Sequence, residues 1–139
     1  MFRLLLIFPI TNIKCRLQQL YNKKGFEELC QKWTDRPNND QELIDIYDRR
    51  IWKTFKNSDN QLFFRQQVSD SHLGIMLNLD WFQPYNNSQY SVGVMYGIIC
   101  NLPRSERFKT SNIITLTVIP GPDKPKLHQL NYYLASVID

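Results

Sequence analysis

The chain has 139 residues, of which 42% are apolar and 13% aromatic, with 17 Lys and Arg against 13 Asp and Glu. That length suits a single domain, or a small module joined to part of a larger one, and the apolar content rules out a disordered composition. The formal charge of +4 is compatible with a nucleic-acid partner but does not require one.

The N-terminal run MFRLLLIFPI is broken by Pro9 and followed by Asn12, Lys14 and Arg16. It lacks a small-residue cleavage site, and it is far shorter than the about 20 apolar residues that cross a bilayer. A strand or extended segment leading into a helix is the expectation, with no membrane partner. Ile13, Leu17 and Leu20 fall at helical spacing. After the Asn22–Gly25 break, Phe26, Leu29, Cys30 and Trp33 follow the i, i+3, i+4, i+7 rule. Asn39, with Glu42 three residues on, reads as a capping box opening a helix that carries Leu43, Tyr47, Ile51 and Phe55, widened by Ile44 and Trp52. Residues 61–71 fit a short helix or a loop.

The period then changes. Leu73, Ile75, Leu77 and Leu79 alternate with Gly74, Met76, Asn78 and Asp80, which predicts a central strand covered on both sides and ending in Asp80. A second strand is expected over 90–102, with Val92, Val94, Tyr96, Ile98 and Cys100 on one side. Gly93 and Gly97 suggest a bulge or close backbone approach inside it. A polar, mostly basic connection over 103–111 precedes a third strand over 113–119. Pro120–Gly121–Pro122 stops that strand. Asp123 and Pro125 then open a helix carrying Leu127, Leu130, Leu134, Val137 and Ile138. The fold class is therefore α/β in the α+β sense: a helical N-terminal module over 1–71, then three adjacent antiparallel strands and a C-terminal helix over 72–139.

Cys15, Cys30 and Cys100 are odd in number and widely spaced, and His72 and His128 are the only histidines. No zinc spacing is present, and three reduced thiols in an intracellular compartment are expected. Asp70 and His72 read as a solvated lead-in to the first strand, Asp123 as a helix cap, His128 as a surface histidine and Asp139 as a helix end. The segment Arg104 to Lys109 is either a phosphate contact or a solvated loop. Trp33, Trp52, Phe26 and Phe55 read as helix core and not as base-stacking platforms.

Five separated motifs carry a family resemblance. They are Asp80-Trp81-Phe82-Gln83-Pro84, Tyr90-Ser91, Asn101-Leu102-Pro103, Ile119-Pro120-Gly121-Pro122, and Tyr133-Leu134 through Ile138-Asp139. In this order the chain resembles the transposases of CACTA (En/Spm) DNA transposons, and among them the fungal-type branch. Upstream, FPITNIKCRLQQLY and IYDRRIWKTF resemble the family's leader. Trp81 departs from the Gly usual in plant members. The resemblance implies a ribonuclease-H-like core in which three carboxylates hold two Mg2+ ions for DNA strand cleavage and transfer. Asp80 matches the first acid, as catalytic residue and metal ligand. The second and third acids are expected beyond residue 139, so a truncated, catalytically inactive transposase-like protein is expected. Its implied partners are DNA and an intact transposase subunit or a second copy, in the nucleus, with no small-molecule substrate. The alternatives are a DNA- or transposase-binding module without catalysis, and a degenerate genomic remnant. A partial sheet should also leave apolar surface exposed and favour self-association.

Overall fold

A computed structural model describes residues 9–36, 43–86, 90–121 and 123–138. The architecture is mixed α/β. Among the described residues there are five α-helices: α1 (Ile13–Tyr21), α2 (Phe26–Gln31), α3 (Arg50–Thr54), α4 (Arg104–Arg107) and α5 (Leu127–Ile138). Three strands, β1 (Ile75–Phe82), β2 (Val92–Ile99) and β3 (Ile114–Pro120), form one antiparallel sheet in the order β1-β2-β3. The chain resolves into two compact units. One comprises Met1–Gln18, Leu77–Gly97 and Ile114–Asp139, and the other comprises Gln19–Met76 and Ile98–Ile113.

In the first unit β3 buries Ile114, Leu116, Thr117 and Ile119, its alternation breaking between Leu116 and Thr117, and α5 contacts that strand with Val137 buried. β2 and β3 pair from Val92↔Pro120 to Met95↔Thr117, and then slip to Tyr96↔Thr115. The extra residue, Leu116, lies on β3 opposite the Met95–Tyr96 step, and not inside β2 at the glycines, where the sequence suggests a bulge. Ile10 bridges Thr117, the Thr11 N–H donates to the Leu116 carbonyl at 2.8 Å, and the Thr117 hydroxyl donates to the Pro9 carbonyl at 2.7 Å. An extended lead-in therefore lies along the outer side of β3. Asn12 then caps α1 by accepting from Cys15 N–H at 3.1 Å.

In the second unit Tyr47, Trp52 and Cys100 form the centre of a core with Trp33, Ile46, Phe64 and Met76 around them. Leu20, Phe26, Cys30, Ile99 and Leu102 are buried in the same unit. Of the aromatic core expected from Trp33, Trp52, Phe26 and Phe55, Trp33 and Trp52 pack together, Phe26 is buried against Tyr21, and Phe55 is exposed. Trp52 lies flat on Phe64 with centroids 3.6 Å apart and meets Trp33 and Tyr47 edge-on. Residues 61–71 combine a loop with a 3-10 turn at Gln66–Val68.

Three sequence expectations are corrected. The single helix expected through Leu43, Tyr47, Ile51 and Phe55 does not form. Asp45 caps a 3-10 turn at Ile46–Asp48, and its carboxylate accepts from Ile46 N–H at 2.6 Å. The Asp48 carboxylate accepts from Asp45 N–H at 2.7 Å and from Ile44 N–H at 3.0 Å. These local bonds compete with helical ones, and Arg49 is extended before α3 begins. Tyr47 and Trp52 go inward, whereas Leu43 (60%), Ile51 (59%) and Phe55 (46%) stay exposed. The expected cap pair Asn39 and Glu42 lies outside the described residues.

Second, among the described residues β1 is an edge strand rather than a central one, and Leu77 (43%) and Leu79 (40%) are exposed. A meander of three consecutive strands places the middle one at the centre. The buried half-face of β2 starts with Gly93 and Met95, not with Val92 and Val94. Third, the stripe expected on α5 loses Ile138, which is 72% exposed, while Asp139 lies outside the described residues.

Candidate functional site

Asp80 is the residue to which the sequence assigns chemistry. β1 continues through Trp81 and Phe82, so Asp80 stands inside the strand and not at its last residue. Its side chain is exposed. The neighbouring Trp81 turns its ring onto β2, where a Cβ at Gly93 would collide with it. Only a glycine admits the indole there, and this fixes the strand next to Asp80. At the far end of β3, a Cβ on Gly121 would collide with the Ser91 carbonyl, which accounts for the glycine in the Ile119-Pro120-Gly121 turn.

Magnesium does not fit this donor set. A two-metal site needs several carboxylates around the cation pair. Among the described residues, no group of three His, Cys, Asp or Glu side chains could hold a metal ion. The other candidate acids and histidines are engaged elsewhere or exposed. Asp70 accepts from Gln31 Nε2 at 3.1 Å, and its backbone carbonyl accepts from the Tyr21 hydroxyl. His72 stacks on Phe63 at 4.4 Å, and its Nδ1 lies 2.6 Å from the Phe63 carbonyl oxygen. These contacts make Asp70 and His72 a structured corner rather than a solvated lead-in. Asp123 and His128 are exposed.

The basic segment from Arg104 to Lys109 is not simply a solvated loop: it includes α4 and turns Arg107 inward. Arg107 is 6% exposed. Its Nη1 donates to the Asp45 carboxylate at 2.7 Å, its Nη2 to the Cys100 carbonyl at 3.0 Å and its Nε to the Leu102 carbonyl at 3.1 Å. Lys109 donates to Glu106 at 2.6 Å. Arg104 remains exposed. The guanidinium of Arg107 also lies over the Tyr47 ring at 5.2 Å. The Tyr47 hydroxyl donates towards the Asn101 and Leu102 carbonyls, and its pKa is pushed up to about 12 by burial, against the pull of Arg107.

Asn101 is fully buried and closes the same region. Its Oδ1 accepts from Gly74 N–H at 2.8 Å, and its Nδ2 donates to the Ser69 and His72 carbonyls at 2.9 and 3.0 Å. The Asn101-Leu102-Pro103 motif is thus explained by backbone satisfaction. Sequence reasoning passed over Asp45 and gave Arg107 no partner. Their 62-residue separation hides the pair, and the only local signal was an acid beside an apolar residue.

Beside this network, Trp33, Arg36, Tyr47, Asp48, Trp52 and Phe64 line an open cavity of about 310 Å3. Arg36 spans it to Asp48 at 3.3 Å. The three thiols are free: Cys15 is exposed, and burial raises the pKa of Cys30 to about 12 and raises that of Cys100 as well. Such thiols are core groups and not nucleophiles. No helix among the described residues is long and apolar enough to cross a membrane. Comparison with protein-family models, curated proteins and solved structures finds no match to this chain.

Proposed function

We propose that this chain is a transposase-type module of the CACTA lineage, a helical leader over 1–71 joined to the start of a ribonuclease-H-like core over 72–139, that does not cleave DNA by itself. One observation carries the reading. Asp80 stands on the first strand of an antiparallel β1-β2-β3 meander that is followed by a helix. This is the element order the resemblance implies, with the Asn101-Leu102-Pro103 and Ile119-Pro120-Gly121 motifs at the ends of β2 and β3. Asp80 alone cannot position two cations about a phosphodiester, so the chemistry of the lineage is not assigned to this polypeptide. Its action is instead to engage DNA or a transposase subunit, and a nuclear location follows from that role.

A second reading, DNA binding without any catalytic descent, is favoured by the exposed basic residues on and beside α3: Arg49, Arg50, Lys53 and Lys56. Incubating the purified chain with duplex DNA and Mg2+ or Mn2+ tests the leading reading. The expected result is no cutting above the protein-free control, with Asp80→Ala indistinguishable from the unmodified chain. Cutting that disappears in Asp80→Ala would overturn it.

A further inference from the structure

We propose that a cavity at the end of α2, walled by Trp33, Tyr47 and Pro103 and rimmed by Lys32, Arg36 and Arg104, binds a small aromatic phosphate monoester. The inference does not rest on the transposase reading, which implies no small-molecule ligand. The cavity has a volume of about 350 Å3, within the range of small-ligand sites, and every residue lining it belongs to the second compact unit. It shares Trp33, Arg36 and Tyr47 with the 310 Å3 cavity beside Trp52, and adds Lys32, Pro103 and Arg104.

Charge selects the ligand. Lys32 and Arg104 are exposed, and Arg36 is held over the Tyr47 ring at 5.3 Å. The lining also carries the Asp45 carboxylate, which Arg107 neutralises at 2.7 Å. Asp48 offsets Arg36 at 3.3 Å. Among the described residues Lys32 and Arg104 are then a positive surplus, and a phosphate monoester carries about −2 to match it.

Two buried donors point to the same chemistry. Arg36 Nη1 and Trp33 Nε1 have no hydrogen-bond partner among the described residues. A buried N–H without an acceptor is costly, and the three oxygens of a phosphate are the kind of group that relieves it. Both nitrogens are covered, so a phosphate oxygen reaches them only when Arg36 swings off Asp48. That bridge is a single contact on a side chain 31% exposed, and such pairs hold weakly. Turned towards a phosphate, the guanidinium offers two parallel N–H bonds in place of one. The walls call for a ring. Trp33 and Tyr47 lie nearly parallel, at 26°, and Pro103 and the exposed Ile44 extend their apolar surface. Phosphate alone would leave those walls uncovered, and a ring alone would leave the cations unmatched.

Titrating the full chain with phenyl phosphate, followed by the indole N–H resonances of its three tryptophans, tests the assignment. The Trp33 resonance, identified by its loss in Trp33→Phe, should shift on binding. Inorganic phosphate, phenol and benzenesulfonate each lack the ring, the anion or the second charge, and should bind at least about tenfold more weakly. Lys32→Ala and Arg104→Ala should each weaken phenyl phosphate about fivefold without changing the circular dichroism spectrum, because both side chains are exposed. Arg36→Lys should weaken it too, since an ammonium cannot replace the fork. Adenosine 5′-monophosphate binding more tightly than free O-phosphotyrosine would assign the site to nucleotides, and the reverse order to phosphotyrosine. Inorganic phosphate binding as tightly as phenyl phosphate would overturn the aromatic half of the proposal. A Trp33 resonance that does not move, or affinity undiminished when Lys32 and Arg104 are both replaced by Ala, would overturn the site.

Discussion

Asp45 and Arg107 lie 62 positions apart, yet each makes the other tolerable in the interior. Arg107 spends its three nitrogens on one carboxylate and two backbone carbonyls, so little of its donor capacity is left unpaired. Burial is the largest single influence and works against its charge, but the hydrogen bonds and charge interactions of Asp45 and Tyr47 together outweigh it, and its pKa is raised. A buried pair of this kind is weak as a net source of stability but costly to break, because the survivor is left charged and unpaired. Asp45→Ala should therefore destabilise the chain by about 3 kcal/mol or more in denaturant titration. A loss below about 0.5 kcal/mol, the range of ordinary surface substitutions, would show that the pair carries no such burden. At this scale the sequence was legible for single residues with local jobs. The buried Cys30 and Trp52 are such residues. It was not legible for Asp45, whose partner is supplied by a segment on the far side of two strands.

The strands were readable because alternation is a local property, and the α3 region was not. Leu43, Tyr47, Ile51 and Phe55 satisfy a helical template as well as any real helix does. The carboxylates of Asp45 and Asp48 take up the nearby N–H groups, and the period breaks at Arg49. Strand order was hidden too. LGIMLNLD and VGVMYGIIC are both apolar runs, and only pairing reveals which one is the edge. The contact of Trp81 with Gly93 joins these two strands. Gly93→Ala should force the indole aside and cost about 1–3 kcal/mol, as overpacking does. A Trp81→Leu background should remove most of that cost, and denaturation of the four members of the cycle measures it. Equal costs in both backgrounds would show that the indole is not what excludes the methyl group.

For the molecule taken as a whole, net charge bears on what it meets rather than on how it folds. The +4 excess is modest, but four cations, Arg49, Arg50, Lys53 and Lys56, fall within eight consecutive residues. If they contact duplex DNA, retardation should weaken with salt at a log–log slope of about −3 to −4, from about −0.9 per phosphate neutralised. Replacing Arg50 and Lys53 by Ala should reduce that slope by about 2. Unaltered migration of the DNA at low salt would remove the basic segment from the DNA-binding account. The sequence by itself determined the class of fold, mixed α/β with three antiparallel strands and a helix after the third, because periodicity and turn residues act over a few neighbours. It placed Asp80 on the first strand, but at that strand's last residue, whereas the strand runs on through Trp81 and Phe82. Tertiary structure alone decided that β1 lies at the edge, that Arg107 is an interior residue and that no acids gather into a metal-binding group among the described residues. Each of those outcomes depends on segments meeting across long separations, and no local pattern encodes such meetings.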